Sequence, residues 1–158
     1  TLVLALPILI LLIKPKLSME NKSIILFLVV IISFINIAYG RSFDDLTSLI
    51  PGASYTNVKP ILEFMLRTRH LAPVFGGKTP LVPESRDYHV ISIFPEILHT
   101  GHIHINEMIL YKNTLAVNSG AWQGQTTYQR RMGIKPTPCN VPVLNLSTRK
   151  INVLKFAG

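Results

Sequence analysis

His99-Thr100-Gly101-His102-Ile103-His104 places three imidazoles within six residues, two of them flanking a single isoleucine. Neutral imidazole is the commonest metal ligand in proteins, so the spacing points to metal chemistry. In an extended segment side chains alternate faces, which aims His102 and His104 the same way with Cα atoms roughly 6.5–7 Å apart. Such a pair can give one imidazole to each of two ions about 3.5–4 Å apart, the separation used by two-metal phosphoryl-transfer sites. Gly101 leaves room for the backbone to turn beside the ions. The competing reading is a solvated surface pair, and spacing alone does not separate the two.

The elements around this cluster follow from pattern. Residues 91–98 read as a strand leading into it. Met108–Gly120 reads as a hairpin with its turn at Lys112-Asn113, which puts the histidines in a loop between strands. Upstream, residues 44–50 predict a short helix, with Ser42 as N-cap, early acids favouring the dipole and Pro51-Gly52 ending it. Residues 57–69 predict a second helix whose stripe is Ile61, Leu62, Met65 and Leu66, with Pro60 tolerated in the first turn. Pro73, Gly76, Gly77, Pro80 and Pro83 then break regular structure, so residues 72–86 predict an ordered loop. At the C-terminus, residues 141–146 and 151–156 alternate apolar and polar around a Ser147–Lys150 turn and predict a closing hairpin.

Several blocks are more specific than periodicity. They are Gly40-Arg41-Ser42-Phe43-Asp44-Asp45-Leu46, Arg69-His70-Leu71-Ala72-Pro73, the Gly101-His102-Ile103-His104 cluster, Asn118-Ser119-Gly120-Ala121-Trp122-Gln123 and Pro136-Thr137-Pro138. In this order, from Gly40 to about Phe156, the chain resembles the C-terminal half of the small subunit of archaeal family-D DNA polymerases. Those proteins are calcineurin-like metallophosphoesterases with 3′–5′ exonuclease activity. The resemblance implies an α/β (α+β) fold: the C-terminal half of a two-sheet sandwich flanked by helices. It implies His102 as a ligand of the second metal and His104 of the first, with two divalent ions, Mn²⁺ or alternatively Mg²⁺. It implies DNA and the large catalytic subunit as partners, no membrane, and a cytoplasmic location.

The family's other ligand motifs are an Asp-x-His, a Gly-Asp, a Gly-Asn-His and an isolated His. Similar members read Tyr-His-Gly-Arg-Ser where this chain reads Tyr39-Gly40-Arg41-Ser42. The chain therefore reads as a fragment of a longer protein and is expected to be inert alone. The rival from another class is a non-catalytic scaffold of the kind formed by eukaryotic polymerase B-subunits.

The remaining chemistry-bearing residues have plainer readings. His99, three residues before His102, is a candidate catalytic group that would orient a ligand or contact the scissile phosphate. His70 reads as an imidazole capping a helix C-terminus, and His89 as a strand residue facing solvent or a neighbour. Trp122 reads as core, with a base-stacking platform as the alternative. Cys139, the single cysteine, excludes an intrachain disulfide and reads as a small apolar residue in a reducing compartment.

The 158 residues carry a formal charge of +8 and 48% hydrophobic residues, enough for one domain with a core. Residues 1–38 hold only Lys14, Lys16 and Lys22 against Glu20, so most of the basic excess lies in residues 39–158. A basic surface suits a nucleic-acid partner, and Arg67, Arg69, Lys78, Arg130, Arg131, Lys135, Arg149 and Lys150 are its candidates. Residues 1–38 form a separate apolar segment with two runs, 2–13 and 24–35, split by a lysine-rich stretch. Each run is shorter than the ~18–20 residues of a spanning helix. Buried strands, a stretch read out of frame, and a membrane segment all remain open for it. Residues 39–158 form the C-terminal part of the metallophosphoesterase-like domain.

Overall fold

The structure is a computed structural model that describes residues 10–12 (backbone only), 41–80, 83–145, 148 and 150–156. The rest of the apolar segment 1–38, together with Tyr39, Gly40 and Arg149, lies outside the described residues. The elements in chain order are β1 (Ile10–Leu12), α1 (Arg41–Leu49), α2 (Lys59–Thr68), β2 (Ile97–Thr100), β3 (Glu107–Tyr111), β4 (Thr114–Asn118), α3 (Thr127–Arg131), β5 (Asn140–Asn145) and β6 (Ile151–Lys155). The fold is mixed α/β, with two three-stranded sheets ordered β1-β5-β6 and β2-β4-β3. Among the described residues no helix is long and apolar enough to cross a membrane.

The sheet that carries the histidine loop is built around β4. That strand pairs in parallel with β2 (His99 opposite Val117) and antiparallel with β3 (Met108 opposite Val117). Residues 112 and 113 make the two-residue turn that the sequence predicts, Lys112 taking a left-handed φ of 52° as such tight hairpins require. One face of this sheet is covered by the helices. Phe43 and Leu46 of α1 and Ile61, Leu62, Met65 and Leu66 of α2 pack with Leu98, Ala116, Ile103 and Ile105 into one buried cluster. The predicted stripe of α2 is thus its buried face, and Pro60 sits in the first turn, where a missing N–H costs nothing.

Four local expectations are corrected. Ser42 is not an N-cap: α1 begins at Arg41, and Ser42 lies inside the first turn, buried. The strand predicted over 91–98 is formed only from Ile97, because Arg69 reaches across to hold the preceding segment by side chain. Its Nε donates to the Ile91 carbonyl at 3.0 Å, its Nη2 donates to that of Ser92, and the guanidinium stacks 5.5 Å from the Phe94 ring. His89 sits in a turn rather than a strand. Its ring stacks on His70 at 6.0 Å, and both imidazoles face the Asp87 carboxylate, at 2.8 Å for His70 and 3.3 Å for His89. His70 therefore serves this staple, with its Nδ1 accepting from the Ala72 N–H, and not the helix end.

The C-terminal hairpin forms as predicted, β5 and β6 pairing antiparallel from Asn140 opposite Lys155 to Leu144 opposite Ile151. Trp122 departs from the core reading. It is 45% exposed and tilts against the half-exposed Phe156 at 5.6 Å.

Candidate metal centre

The histidine loop, residues 101–106, leaves the end of β2 and returns into β3. It is not an extended strand. His102 has φ 74°, a left-handed conformation uncommon for a non-glycine residue, so the strained position is the histidine and not Gly101. Two tight turns follow, Ile103 N–H to Gly101 O at 3.0 Å and Ile105 N–H to Ile103 O at 2.8 Å. The extended alternation expected of the sequence is therefore not formed, although both histidines reach the same cleft. Ile103 and Ile105 are buried in the core, while His102 and His104 line a single cleft of about 380 Å³.

Two polar residues far along the chain hold this loop. Asn118, fully buried at the end of β4, donates from Nδ2 to the carbonyls of Ile103 at 2.8 Å and Ile105 at 2.6 Å. Its Oδ1 accepts from Thr100 Oγ1 at 3.1 Å, which ties the loop to the end of β2 as well. Thr137 donates its N–H to His104 O at 2.8 Å and accepts the Asn106 N–H on its hydroxyl. Gly120 permits that approach: a Cβ there would meet the Thr137 carbonyl at 2.8 Å. The Asn118-Ser119-Gly120 and Pro136-Thr137-Pro138 blocks are thus the supports of the His-x-His loop.

Besides the histidines the cleft is lined by Asp44 of α1, Tyr55, Ile103, Thr126, Tyr128, Gln129 and Ile134. Asp44 Oδ2 lies 3.3 Å from His102 Nε2, and Tyr55 donates its hydroxyl to Asp44 Oδ1 at 3.0 Å. Burial first, and the hydrogen bond to Asp44 second, push the Tyr55 phenol up to about 12. Pattern reading assigns Asp44 only to the helix dipole. It misses α3 altogether, although Thr126-x-x-Gln129 is a capping box, with Gln129 N–H to Thr126 Oγ1 at 3.1 Å and Thr126 N–H to Gln129 Oε1 at 2.9 Å.

His104 is half-buried. Burial, and then the neighbouring His102, hold its pKa below the usual imidazole range, which favours the neutral form that binds metal. Its Nδ1 is buried with no hydrogen-bond partner among the described residues. These donors suit a divalent ion but do not complete a shell. Among the described residues no group of three or more His, Cys, Asp or Glu is arranged to hold a metal ion. His99 does not line the cleft. It is 5% exposed, its Nε2 bonds Ser119 Oγ at 2.7 Å, and burial lowers its pKa to about 4. Of the candidate basic residues, Arg130 and Arg131 are exposed on α3 beside Tyr128 and Gln129 of the cleft, whereas Arg67, Arg69 and Lys78 sit on or after α2.

No protein-family model matches the chain. It is 50% identical over 109 residues to the DNA polymerase II small subunit of Methanocaldococcus jannaschii, covering 69% of this chain and 18% of that protein. It is 47% identical over 122 residues to the DNA polymerase II small subunit of Archaeoglobus fulgidus, covering 77% and 25%. To that of Thermoplasma acidophilum it is 38% identical over 141 residues, covering 89% and 27%. The chain therefore spans between 18% and 27% of the length of these curated relatives. The resemblance expected from the motif blocks is borne out over most of the chain.

Proposed function

We propose, on the kinship of this chain with archaeal DNA polymerase II small subunits, that it supplies the terminal His-x-His of a two-metal site that hydrolyses the 3′-terminal phosphodiester of DNA. The protein would do so as the proofreading partner of a large polymerase subunit. The observation that carries the reading is that His102 and His104 open into one cleft on a loop whose shape is fixed by Asn118 and Thr137. A solvated surface pair would need none of that support.

His102 and His104 would each hold one ion, and the remaining ligands would come from outside the described residues. A bound divalent pair would supply water activation and charge neutralisation at the phosphate. His104, kept neutral by burial, has its lone pair available at neutral pH. Arg130 and Arg131, exposed beside the cleft, would attract the DNA backbone. His99 acts at one remove: its bond to Ser119 ties the end of β2 to the stretch that follows β4.

One specific observation favours the scaffold alternative, namely that His102 and His104 gain no third ligand of a metal cluster among the described residues. The deciding experiment substitutes His102→Ala and His104→Ala separately in the intact two-subunit complex. Mn²⁺-dependent release of 3′-terminal nucleotides from single-stranded DNA should be lost in each, while co-purification with the large subunit stays near wild type. Near wild-type nuclease rates in both variants would replace the catalytic reading with the scaffold.

A further inference from the structure

We propose that Asp44 is the positioning residue for His102: its carboxylate fixes the imidazole as the Nε2–H tautomer and leaves Nδ1 as the metal-binding atom. The proposal rests on the metal reading above and adds to it a residue 58 positions away in sequence, on a different element. A carboxylate only accepts hydrogen bonds, so the 3.3 Å contact between Asp44 Oδ2 and His102 Nε2 requires the hydrogen on Nε2. A neutral imidazole carries one N–H, and the lone pair is then on Nδ1.

Asp44 is itself held. Its other oxygen accepts the Tyr55 hydroxyl at 3.0 Å, and its side chain is only 23% exposed against 39% for His102. The carboxylate is therefore the fixed partner and the imidazole the one being oriented. An exposed His–Asp pair would contribute little to stability, which gives no reason for such a tyrosine-backed arrangement on the wall of the cleft. A ligand histidine gains from it directly. A carboxylate on the far nitrogen sets the ring's rotation and raises its basicity, and losing such a partner typically weakens metal binding about 10–100-fold.

The test uses the full-length protein with ¹⁵N-labelled histidine, wild type and Asp44→Ala, in two arms. In the metal-free protein at pH 8, the ring ¹⁵N shifts of His102 should report a single Nε2–H tautomer that becomes a mixture in Asp44→Ala. In calorimetric titration with Mn²⁺, Asp44→Ala should bind about 10–100-fold more weakly than wild type, and Tyr55→Phe should show a smaller loss of the same sign. In a His102→Ala background, Asp44→Ala should have no further effect.

An Nδ1–H tautomer in the wild type, or no tautomer change in Asp44→Ala, overturns the proposal. An equal loss of Mn²⁺ affinity with and without His102 also overturns it, because Asp44 would then be a ligand itself. If the wild type binds no Mn²⁺ but the tautomer responds to Asp44, the metal reading fails while the Asp44–His102 coupling stands.

Discussion

Replacing Asn118 by aspartate changes almost no volume and reverses the polarity of the group that holds the histidine loop. In the native protein Asn118 Nδ2 satisfies two buried carbonyls, those of Ile103 at 2.8 Å and Ile105 at 2.6 Å. Thr100 Oγ1 keeps a second acceptor in Val117 O at 3.3 Å whatever happens at residue 118. Asn118→Ala therefore strands two acceptors at roughly 1–3 kcal/mol each, a total of about 2–6 kcal/mol. Asn118→Asp places a buried carboxylate oxygen against the same two carbonyls, with the Thr100 hydroxyl as its remaining donor and no countercharge; a buried charge without a partner costs about 3–5 kcal/mol.

The two variants differ in pH dependence. Desolvated and facing two carbonyl oxygens, with one hydroxyl donor against them, the new carboxyl has a folded pKa above the ~3.9 of an unfolded aspartate. Its ionic penalty is absent below that value, grows as pH rises through it, and levels off above the folded pKa. The measurement is urea unfolding followed by circular dichroism at pH 7 and pH 4.5, each variant referred to wild type at the same pH. The cost of Asn118→Asp should shrink on acidification, and the cost of Asn118→Ala should stay unchanged. The reasoning fails if Asn118→Asp lies within about 0.5 kcal/mol of wild type at pH 7, or if its cost is the same at both pH values.

Other residues give sharp expectations. His99, with a folded pKa near 4 because of burial, binds its proton more readily when unfolded, so stability should fall as pH drops from about 6.5 toward 4, by at most ~1.4 kcal/mol per pH unit; His99→Gln should flatten that slope in pH-dependent unfolding curves. Asp45 is buried, which raises its pKa, but hydrogen bonds from the Lys78 and Thr79 N–H groups and the Thr79 hydroxyl outweigh burial and hold it below its usual range. Its contribution should be fully present above about pH 4 and lost as pH falls through the depressed folded value, so the gap between wild type and Asp45→Asn should close in acid. A Cβ at Gly77 would meet the Asp45 carboxylate at 2.7 Å, so Gly77→Ala should lower stability by about 1–3 kcal/mol in the wild type and by much less in an Asp45→Ala background, read as a double-mutant cycle.

Local features are legible in sequence where a short stretch dictates its own structure. The α2 stripe of Ile61, Leu62, Met65 and Leu66, the Lys112-Asn113 turn and the C-terminal hairpin all depend on neighbours within a few residues. The helix at residues 127–131 is equally local, and the Thr126–Gln129 capping box announces it. Two of the failures have a cause beyond the local stretch. The strand predicted over 91–98 is displaced by an arginine from another segment, and Ser42 is drawn into a helix whose buried face continues N-terminal of the predicted start.

The site shows the same division more sharply. Spacing singles out His102 and His104 as candidates, yet the conformation that brings both to one cleft is imposed from outside. A run with His102 at φ 74° and two tight turns has no local reason to keep both imidazoles on one side. Asn118 supplies that reason through two carbonyl contacts, Thr137 through its N–H and its hydroxyl, each bonded to the loop's backbone, and the core through Ile103 and Ile105. The Asn-Ser-Gly and Pro-Thr-Pro blocks therefore carry information about the histidines without being ligands. It follows that a loop transplanted with its Gly-His-Ile-His but without Asn118 and Thr137 should lose the alignment of its imidazoles.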